Sequence, residues 1–192
     1  HYHEVRDEDA LEAMMAKLEA AELICVDTET DALSAMQSNL VGLSFAVEPG
    51  EAWYVPVGHD YMGAPQQLPM ATVIERVRGA LENPDIAKLG QHIKYDINVL
   101  RRHGIDVRGA DHDTMLESYV LNSTATRHDM DSLALKYLGE KTISFESIAG
   151  KGAKQLTFNQ IELEKAAPYA AEDADITLRL HQTLRPKLKE TG

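Results

Sequence analysis

The sequence predicts an α/β fold, a mixed sheet flanked by helices, and three observations support this prediction. The apolar run at residues 23–26 leads directly into polar residues, as is typical of a central strand covered on both faces. Residues 39–47 and 52–57 are joined by a Glu-Pro-Gly-Glu turn, which predicts a hairpin and, with the first strand, an antiparallel meander. Helical patterns then alternate with a short strand at 87–89, which adds a parallel part to the sheet.

The helices are predicted from apolar residues at helical spacing and from residues that begin or end a helix. Asp7 or Asp9 could cap the first helix. After the short strand, either Asp113 or a capping box of Thr114 and Glu117 begins another helix. The predicted helices are residues 9–21, 69–82, 93–103, one from Asp129 or Asp131 to before Gly139, 159–167 and 168–189 beginning at Pro168; residues 141–154 are predicted to be a loop.

The composition is that of a soluble globular domain. The chain has 192 residues, 44% hydrophobic and 26% charged, which suits one domain with a sizeable core. No apolar run approaches the roughly 18 residues of a membrane span, so we expect no membrane contact. The single cysteine, Cys25, excludes a disulfide framework and predicts a reducing, cytoplasmic setting. We expect a monomer.

Asp27 and Glu29 are the first candidates for a metal site. Side chains two residues apart on a strand point to the same side, and ligands bind beyond the carboxyl ends of such strands. Two like charges there repel each other and need a compensating cation. Carboxylate oxygens favour a divalent metal. Alone, the pair is explained equally well as acids at the edge of a hairpin.

Two later segments supply further acids. Asp96 lies in the first turn of a predicted helix, where the helix dipole alone would explain it. Tyr169 and Asp173 are one turn apart and share a face of the final helix. Alone, they would be a half-buried tyrosine and an exposed acid. The combination of all three motifs, in this order, is far more specific than any one of them.

In order and approximate spacing, Asp27-x-Glu29, Tyr95-Asp96 and Tyr169-x-x-x-Asp173 resemble the three motifs of the DEDDy nucleases. The resemblance extends to the 3′→5′ proofreading domain of bacterial DNA polymerase I over residues of about 20–190. It rests on DTETD at 27–31, NLVGLSF at 39–45, DTMLESY at 113–119, RHDMDSL at 127–133, QLTFNQ at 155–160 and YAAEDAD at 169–175. It implies a ribonuclease-H-like fold and an exonuclease that releases nucleoside 5′-monophosphates from a single-stranded or frayed 3′ end of DNA during replication and repair.

The resemblance also implies a mechanism with two divalent metal ions, Mg²⁺ or Mn²⁺. Asp27 would bridge the two ions. Glu29 and Asp173 would hold the ion that activates the attacking water, and Asp96 would support the other ion, largely through water. The hydroxyl of Tyr169 would orient the attacking water.

Other positions are implied to hold the 3′ end of the DNA strand. Leu33 resembles a wedge between the last two bases, and Phe145 an aromatic ring that stacks there. Both could instead anchor loops, and Arg127 could form a surface ion pair. The family has asparagine where this chain has His92, which affects strand contact rather than metal binding. The implied contacts with the DNA strand are Gln91, His92, Tyr95 and Arg127.

The net charge is −12, which argues against a protein that coats DNA or reads its sequence, since such proteins usually carry a basic surface. A nuclease is compatible with this charge, because a metal site adds acids and a cleft binds only a few nucleotides. The chain begins at His1 rather than Met, so we interpret residues 1–192 as one exonuclease domain from a longer chain that also holds a polymerase domain. We expect His1 and His3 to be disordered or tag-derived.

Two alternatives stay open from the sequence. One is a free-standing DEDDy exonuclease that acts on RNA, which the polymerase-like segments 39–45 and 127–133 disfavour. The other is a catalytically silent domain that only positions a polymerase. A silent domain would be expected to lack a carboxylate, and this chain has all four.

Overall fold

The computed structural model describes residues 1–32, 38–110, 112–113 and 130–191, with the backbone alone at 130, 131 and 187–191. Within these ranges the strands are β1 (Tyr2–Glu4), β2 (Leu23–Thr30), β3 (Leu40–Glu48), β4 (Glu51–Pro56), β5 (Ala87–Gly90) and β6 (His112–Asp113). The helices are α1 (Glu8–Ala20), α2 (Met70–Glu82), α3 (Ile93–Arg102), α4 (Met130–Leu133) with a π-helical turn at Ala134–Leu138, α5 (Phe145–Ala149) and α6 (Leu163–Thr191). Short 3₁₀ turns lie at Gly152–Lys154 and Phe158–Gln160.

The described strands form one mixed sheet in the order β1-β4-β3-β2-β5-β6. β2, β3 and β4 make the antiparallel meander, whereas β5 and β6 extend the sheet in parallel beside β2. The predicted fold class is therefore confirmed. No helix in the described part of the chain has the length and apolar character of a membrane span.

The two faces of the sheet are covered by different helices. Ile24 and Val26 of β2 belong to the main core, which they share with buried residues of α1, α2 and α3. Cys25, between them, packs on the other face against Ala171 and Ala174 of α6. Successive strand residues alternate between faces, so β2 is buried on both sides, as a central strand should be.

The final helix differs from the prediction. Residues 163–191 form one helix, so Pro168 lies inside α6 and does not begin it. A proline within a helix removes one hydrogen bond to the carbonyl four residues earlier. That carbonyl belongs to Glu164, which is exposed, so water can replace the lost donor. The start of α6 is held by Leu163, whose N–H donates to the Tyr61 hydroxyl at 3.0 Å.

Two other local predictions were wrong. The segment 141–154, predicted to be a loop, contains α5, and the Ser144 hydroxyl accepts a hydrogen bond from Ser147 N–H there. His3 is ordered in β1, where its ring stacks on Trp53 with centroids 5.6 Å apart. The predicted end of a helix before Gly139 is confirmed. The proposed capping box of Thr114 and Glu117 lies outside the described residues.

Candidate active site

The alternation of β2 decides which face each polar residue at its end occupies. Cys25 packs against α6, so Asp27 and Glu29, two and four residues later, also face α6. Val26 lies in the core beneath α1, α2 and α3, so Thr28 faces that side. The acids therefore meet α6, and the threonine between them meets α3.

Three carboxylates converge on the α6 side. One oxygen from each of Asp27, Glu29 and Asp173 lies within 4.8 Å of the other two. Asp173 comes from α6, where the fully buried Ala170 and Ala174 allow the helix backbone to approach the sheet. The structure thus brings together acids that are about 145 residues apart in sequence.

Asp96 joins the site from the other side of β2. The parallel pairing of β2 with β5 ends at Cys25 and Leu89, so the edge of β2 beyond that point has no strand partner there. Asp96 fills this position: its Oδ1 accepts hydrogen bonds from Thr28 N–H at 2.9 Å and from Thr28 Oγ1 at 2.6 Å. The side chain is only 2% exposed. With Oδ1 committed to Thr28, Oδ2 is the oxygen that remains for a ligand.

The raised pKa values of Asp27, Glu29 and Asp96 indicate that ionising these acids together costs free energy. Burial raises the pKa of Asp27 to about 6, although hydrogen bonds from Glu29 and the Thr28 backbone act in the opposite direction. Burial, then the charges of Asp27 and Asp173, hold the pKa of Glu29 well above its usual range. Burial and the charge of Asp27 do the same for Asp96.

This donor set fits a divalent cation. Carboxylate oxygens are ligands of Mg²⁺ and Mn²⁺; oxygens on opposite sides of a Mg²⁺ ion lie about 4 Å apart, and the three oxygens here all lie within 4.8 Å of one another. A cation between Asp27, Glu29 and Asp173 would offset their mutual repulsion. The structure therefore passes a physical test for a metal centre at these residues.

Aromatic residues lie next to the acids. Tyr169 is half-buried, one turn before Asp173 on α6, and its ring centroid is 6.0 Å from that of Phe145 and 6.1 Å from that of Phe158. Phe158 is buried in the same cluster, beneath the two. Phe145 begins α5, so the segment predicted to be a loop supplies a helix that places this ring beside Tyr169.

Three of the residues implied to contact substrate lie around the start of α3. His92 is exposed and has φ 58° and ψ 55°, a left-handed conformation in which asparagine, aspartate and histidine are enriched. This backbone gives a physical reason why asparagine or histidine suits the position. The Tyr95 hydroxyl bonds to Thr30 Oγ1 at 2.5 Å and donates to the carbonyl of Ala32 at 3.1 Å, so it holds the end of β2. Gln91 is half-buried beside His92.

Leu33 and Arg127, the other two residues implied to contact substrate, lie outside the described residues. The sequence analysis missed two residues that shape the site, Thr28 and Asp113. The position of Thr28 between two acids was a usable signal, because its side chain must face the opposite helix. No sequence signal pointed to the role of Asp113, because the amide groups that it binds are 20 and 21 residues away.

Comparison with known proteins agrees with this geometry. The sequence model of a family described as 3′-5′ exonuclease matches residues 2–189. The chain is 61% identical over 190 residues to DNA polymerase I of Pseudomonas aeruginosa, and the match covers 98% of this chain and 21% of that protein. The chain spans about a fifth of the length of the curated relatives that it matches.

Solved structures show the same fold. RNase D of Escherichia coli superimposes with a TM-score of 0.70 at 19% identity, over 100% of this chain and 46% of that chain. NrnC of Brucella melitensis, solved with bound Mg²⁺, gives 0.67 at 17% identity, over 100% of this chain and 83% of that chain. The resemblance inferred from the motifs is confirmed by the family match across nearly the whole sequence: the chain belongs to the 3′-5′ exonuclease family.

Proposed function

We propose that this chain hydrolyses the terminal phosphodiester at the 3′ end of single-stranded or frayed DNA and releases nucleoside 5′-monophosphates. One observation carries the proposal: Asp27, Glu29 and Asp173 converge within 4.8 Å at the end of β2, in a chain of the 3′-5′ exonuclease family. Asp96 completes the site from the opposite side of Thr28.

We propose two divalent ions, Mg²⁺ or Mn²⁺, as cofactors. Asp27, Glu29 and Asp173 would hold one ion, and Asp27 with Asp96 would hold the other. When bound, such ions lower the pKa of the attacking water and neutralise charge on the phosphate oxygens. The Mg²⁺ bound in the similarly folded Brucella melitensis protein supports this choice.

The side chains of the chain itself orient the reactants. Tyr169 lies one turn from Asp173, so its hydroxyl would hold the attacking water on the metal side of α6. Phe145, 6.0 Å from the Tyr169 ring, would stack on the terminal base, an interaction worth about 1–3 kcal/mol. Asp96 would keep its place through the two hydrogen bonds from Thr28.

The remaining contacts with the DNA strand stay predictions. Gln91 and the exposed His92 lie at the start of α3, one turn from Asp96, where they can reach a strand bound at the metals. Tyr95 would act there too, with its hydroxyl bonded to Thr30 at the end of β2. Leu33 is proposed as the wedge between the last two bases and Arg127 as a further strand contact.

We propose that the domain works within a bacterial DNA polymerase I, in replication and repair. Identity of 61% to the Pseudomonas aeruginosa enzyme over a fifth of its length supports this setting. The whole of residues 1–192 would be one exonuclease domain, a monomer attached to a polymerase domain in the bacterial cytoplasm.

A DNA oligonucleotide labelled at its 5′ end, and an RNA of the same sequence, test the proposal. Each is incubated with the chain in Mg²⁺, in Mn²⁺ and in chelator, with Asp96→Ala as the control. We expect a metal-dependent ladder that shortens from the 3′ end of DNA and is absent in the variant. Shortening of RNA alone would identify an exoribonuclease instead, and no shortening with either metal would identify a silent scaffold.

A further inference from the structure

We propose that Asp113 is a positioning residue for the active site: it fixes the start of α3 and thereby sets the place of Asp96. The proposal rests on the proposed function only for its consequence on cleavage. The two hydrogen bonds of Asp113 to the start of α3 are the contacts through which we propose that it acts.

Asp113 contacts the start of α3 directly. Asp113 ends β6 and is 7% exposed. Its Oδ1 accepts the N–H of His92 and its Oδ2 accepts the N–H of Ile93, both at 2.9 Å. The first N–H groups of a helix have no partner within the helix, and a negative charge there is stabilised by the helix dipole. One carboxylate from a distant strand therefore caps α3.

The hydrogen bonds that Asp113 accepts hold an unusual backbone conformation at His92. Among the described residues, His92 is the one non-glycine residue with positive φ. Side chains other than that of glycine adopt this conformation at an energetic cost. The bond from His92 N–H to Asp113 offsets this cost and keeps the chain turned from β5 into α3.

Gly90 and Ile93 pack closely beneath the same turn. Gly90 pairs with Asp113 in the sheet, and a Cβ at Gly90 would lie only 3.0 Å from Cβ and Cγ1 of Ile93. A larger residue at position 90 would therefore crowd Ile93 against the end of β5. Gly90, Ile93 and Asp113 form one packed unit, and Asp96 follows Ile93 by about one helical turn.

The charge of Asp113 is not what helps Asp96. Asp113 is among the groups that raise the pKa of Asp96, so it disfavours the ionised form that a metal needs. Its favourable contribution is geometric, through the two hydrogen bonds that it accepts. Replacement of the carboxylate by an amide removes an unfavourable charge and one hydrogen-bond acceptor together, so a displacement of Asp96 in that variant would come from the lost hydrogen bond and not from the lost charge.

Asp113→Asn is the test variant and Asp175→Asn its matched control. Asp175 is a buried carboxylate whose Oδ1 also accepts a backbone N–H at 2.9 Å, from Gly50, far from α3 along the chain. An asparagine keeps the size of the side chain but replaces one acceptor by an NH₂ donor, which must face an N–H group in Asp113→Asn and can face the Tyr2 hydroxyl in Asp175→Asn. Both variants are expected to lose stability, and only Asp113→Asn is expected to disturb Asp96.

Amide hydrogen exchange reads this disturbance in metal-free protein, without any activity. Thr28 N–H donates to Asp96, so its exchange reports whether Asp96 has kept its place. We expect exchange at Thr28 to rise at least tenfold relative to the other amides of β2 in Asp113→Asn, and to stay at the wild-type rate in Asp175→Asn. Faster exchange at His92 and Ile93 with Thr28 unchanged would overturn the proposal.

Kinetics give the second readout. We expect kcat of Asp113→Asn to fall about 10–100-fold at a temperature where the variant is folded. The loss should be smaller in a His92→Gly background, because glycine adopts positive φ without the cost. Wild-type kcat in Asp113→Asn would contradict the proposal. If the wild-type chain cleaves nothing, the proposed function fails, while the exchange of Thr28 still tests the role of Asp113.

If Asp113→Asn does not fold, Gly90→Ala tests the same coupling from the other side. The added methyl group would push Ile93 away from β5. We expect the same selective rise in exchange at Thr28, and no change there would overturn the proposal.

Discussion

Asp173 and Asp175 are two residues apart on α6, but the contacts described for their carboxylates differ. The side chain of Asp175 is 2% exposed and is surrounded by donors. Its Oδ2 accepts the Tyr2 hydroxyl at 2.7 Å, its Oδ1 accepts Gly50 N–H at 2.9 Å, and Arg179 lies 3.9 Å away. These contacts tie β1 and the β3–β4 turn to α6. Asp175 is a structural carboxylate.

Asp173 has two other acids beside it. Its oxygen lies within 4.8 Å of oxygens of Asp27 and Glu29, and its charge raises the pKa of Glu29. Burial does not distinguish Asp175 from every proposed metal ligand, because Asp96 and Asp175 are both 2% exposed. Asp173 and Asp175 differ in their described neighbours: donors tie Asp175 into the fold, whereas Asp27 and Glu29 place further acid oxygens beside Asp173, where a cation would offset the repulsion.

The largest effect is expected for Asp27→Asn. Cleavage should fall by at least about 10²–10³-fold, the usual loss when one preorganised charge-stabilising group is removed. The melting temperature of the metal-free variant should not fall, because one repelling charge has been removed from the cluster. Gel assays of the labelled oligonucleotide and thermal unfolding in chelator measure the two effects. A melting temperature several degrees lower would place Asp27 with the structural acids.

Asp175→Asn should show the opposite pattern. We expect the free energy of unfolding to fall by about 1.5–3 kcal/mol, since a buried carboxylate loses charged hydrogen bonds. Urea unfolding measures this loss. Cleavage per folded molecule should stay at the wild-type level. A large loss of cleavage in folded Asp175→Asn would remove the distinction between the two sites.

A divalent ion should stabilise the folded protein through Asp27, Glu29 and Asp173, and not through Asp175. At ten times its Kd, a bound ion adds about 1.4 kcal/mol to the free energy of unfolding. Thermal unfolding in Mn²⁺ and in chelator should show this gain in wild type and in Asp175→Asn. Asp27→Asn should lose most of it, and an equal gain in all three proteins would point to ions bound elsewhere.

The smallest expected effect concerns His59, a buried side chain with hydrogen bonds at both ring nitrogens. The side chain is 5% exposed; Nε2 bonds to the Tyr54 hydroxyl at 2.7 Å and Nδ1 to the Ile161 carbonyl at 3.1 Å. Burial lowers its pKa to about 4, so the unfolded chain, with a pKa near 6.5, binds a proton first as the pH falls. The stabilising contribution is complete above about pH 6.5 and is lost towards pH 4.

Between about pH 6.5 and 5.5 this loss amounts to about 1 kcal/mol. His59→Gln should make the fall in unfolding free energy over this range shallower by that amount. Urea unfolding at several pH values measures the slope. An unchanged slope in the variant would mean that His59 is not the group that titrates.

Local patterns predicted the parts of the fold that local chemistry determines. The apolar run of β2, the alternation of Asp27 and Glu29 and the glycine after α4 could all be read from neighbouring residues. β1 could not, because its three residues are held by pairing with β4, about fifty residues away. Pro168 misled the prediction of α6, since the packing of the flanking alanines against the sheet outweighs the hydrogen bond that proline removes.

The residues of the candidate site also fall into those that local sequence patterns predict and those that depend on distant contacts. The acids follow from sequence motifs, but the bonds that hold Asp96 depend on where β5 ends, and a four-residue strand gives little warning of its last residue. The cap on α3 depends on Asp113, a residue of another strand. Long-range contacts of single residues leave no periodic pattern, so the structure was needed to find them.

The most direct test of the account is a calorimetric titration with Mn²⁺ of wild type, Asp27→Asn and Asp175→Asn at about pH 7.5. We expect wild type and Asp175→Asn to bind the ion with equal affinity and Asp27→Asn to bind at least tenfold more weakly. Wild-type affinity in Asp27→Asn, or loss of binding in Asp175→Asn alone, would contradict the assignment of the metal centre to the acids at the end of β2.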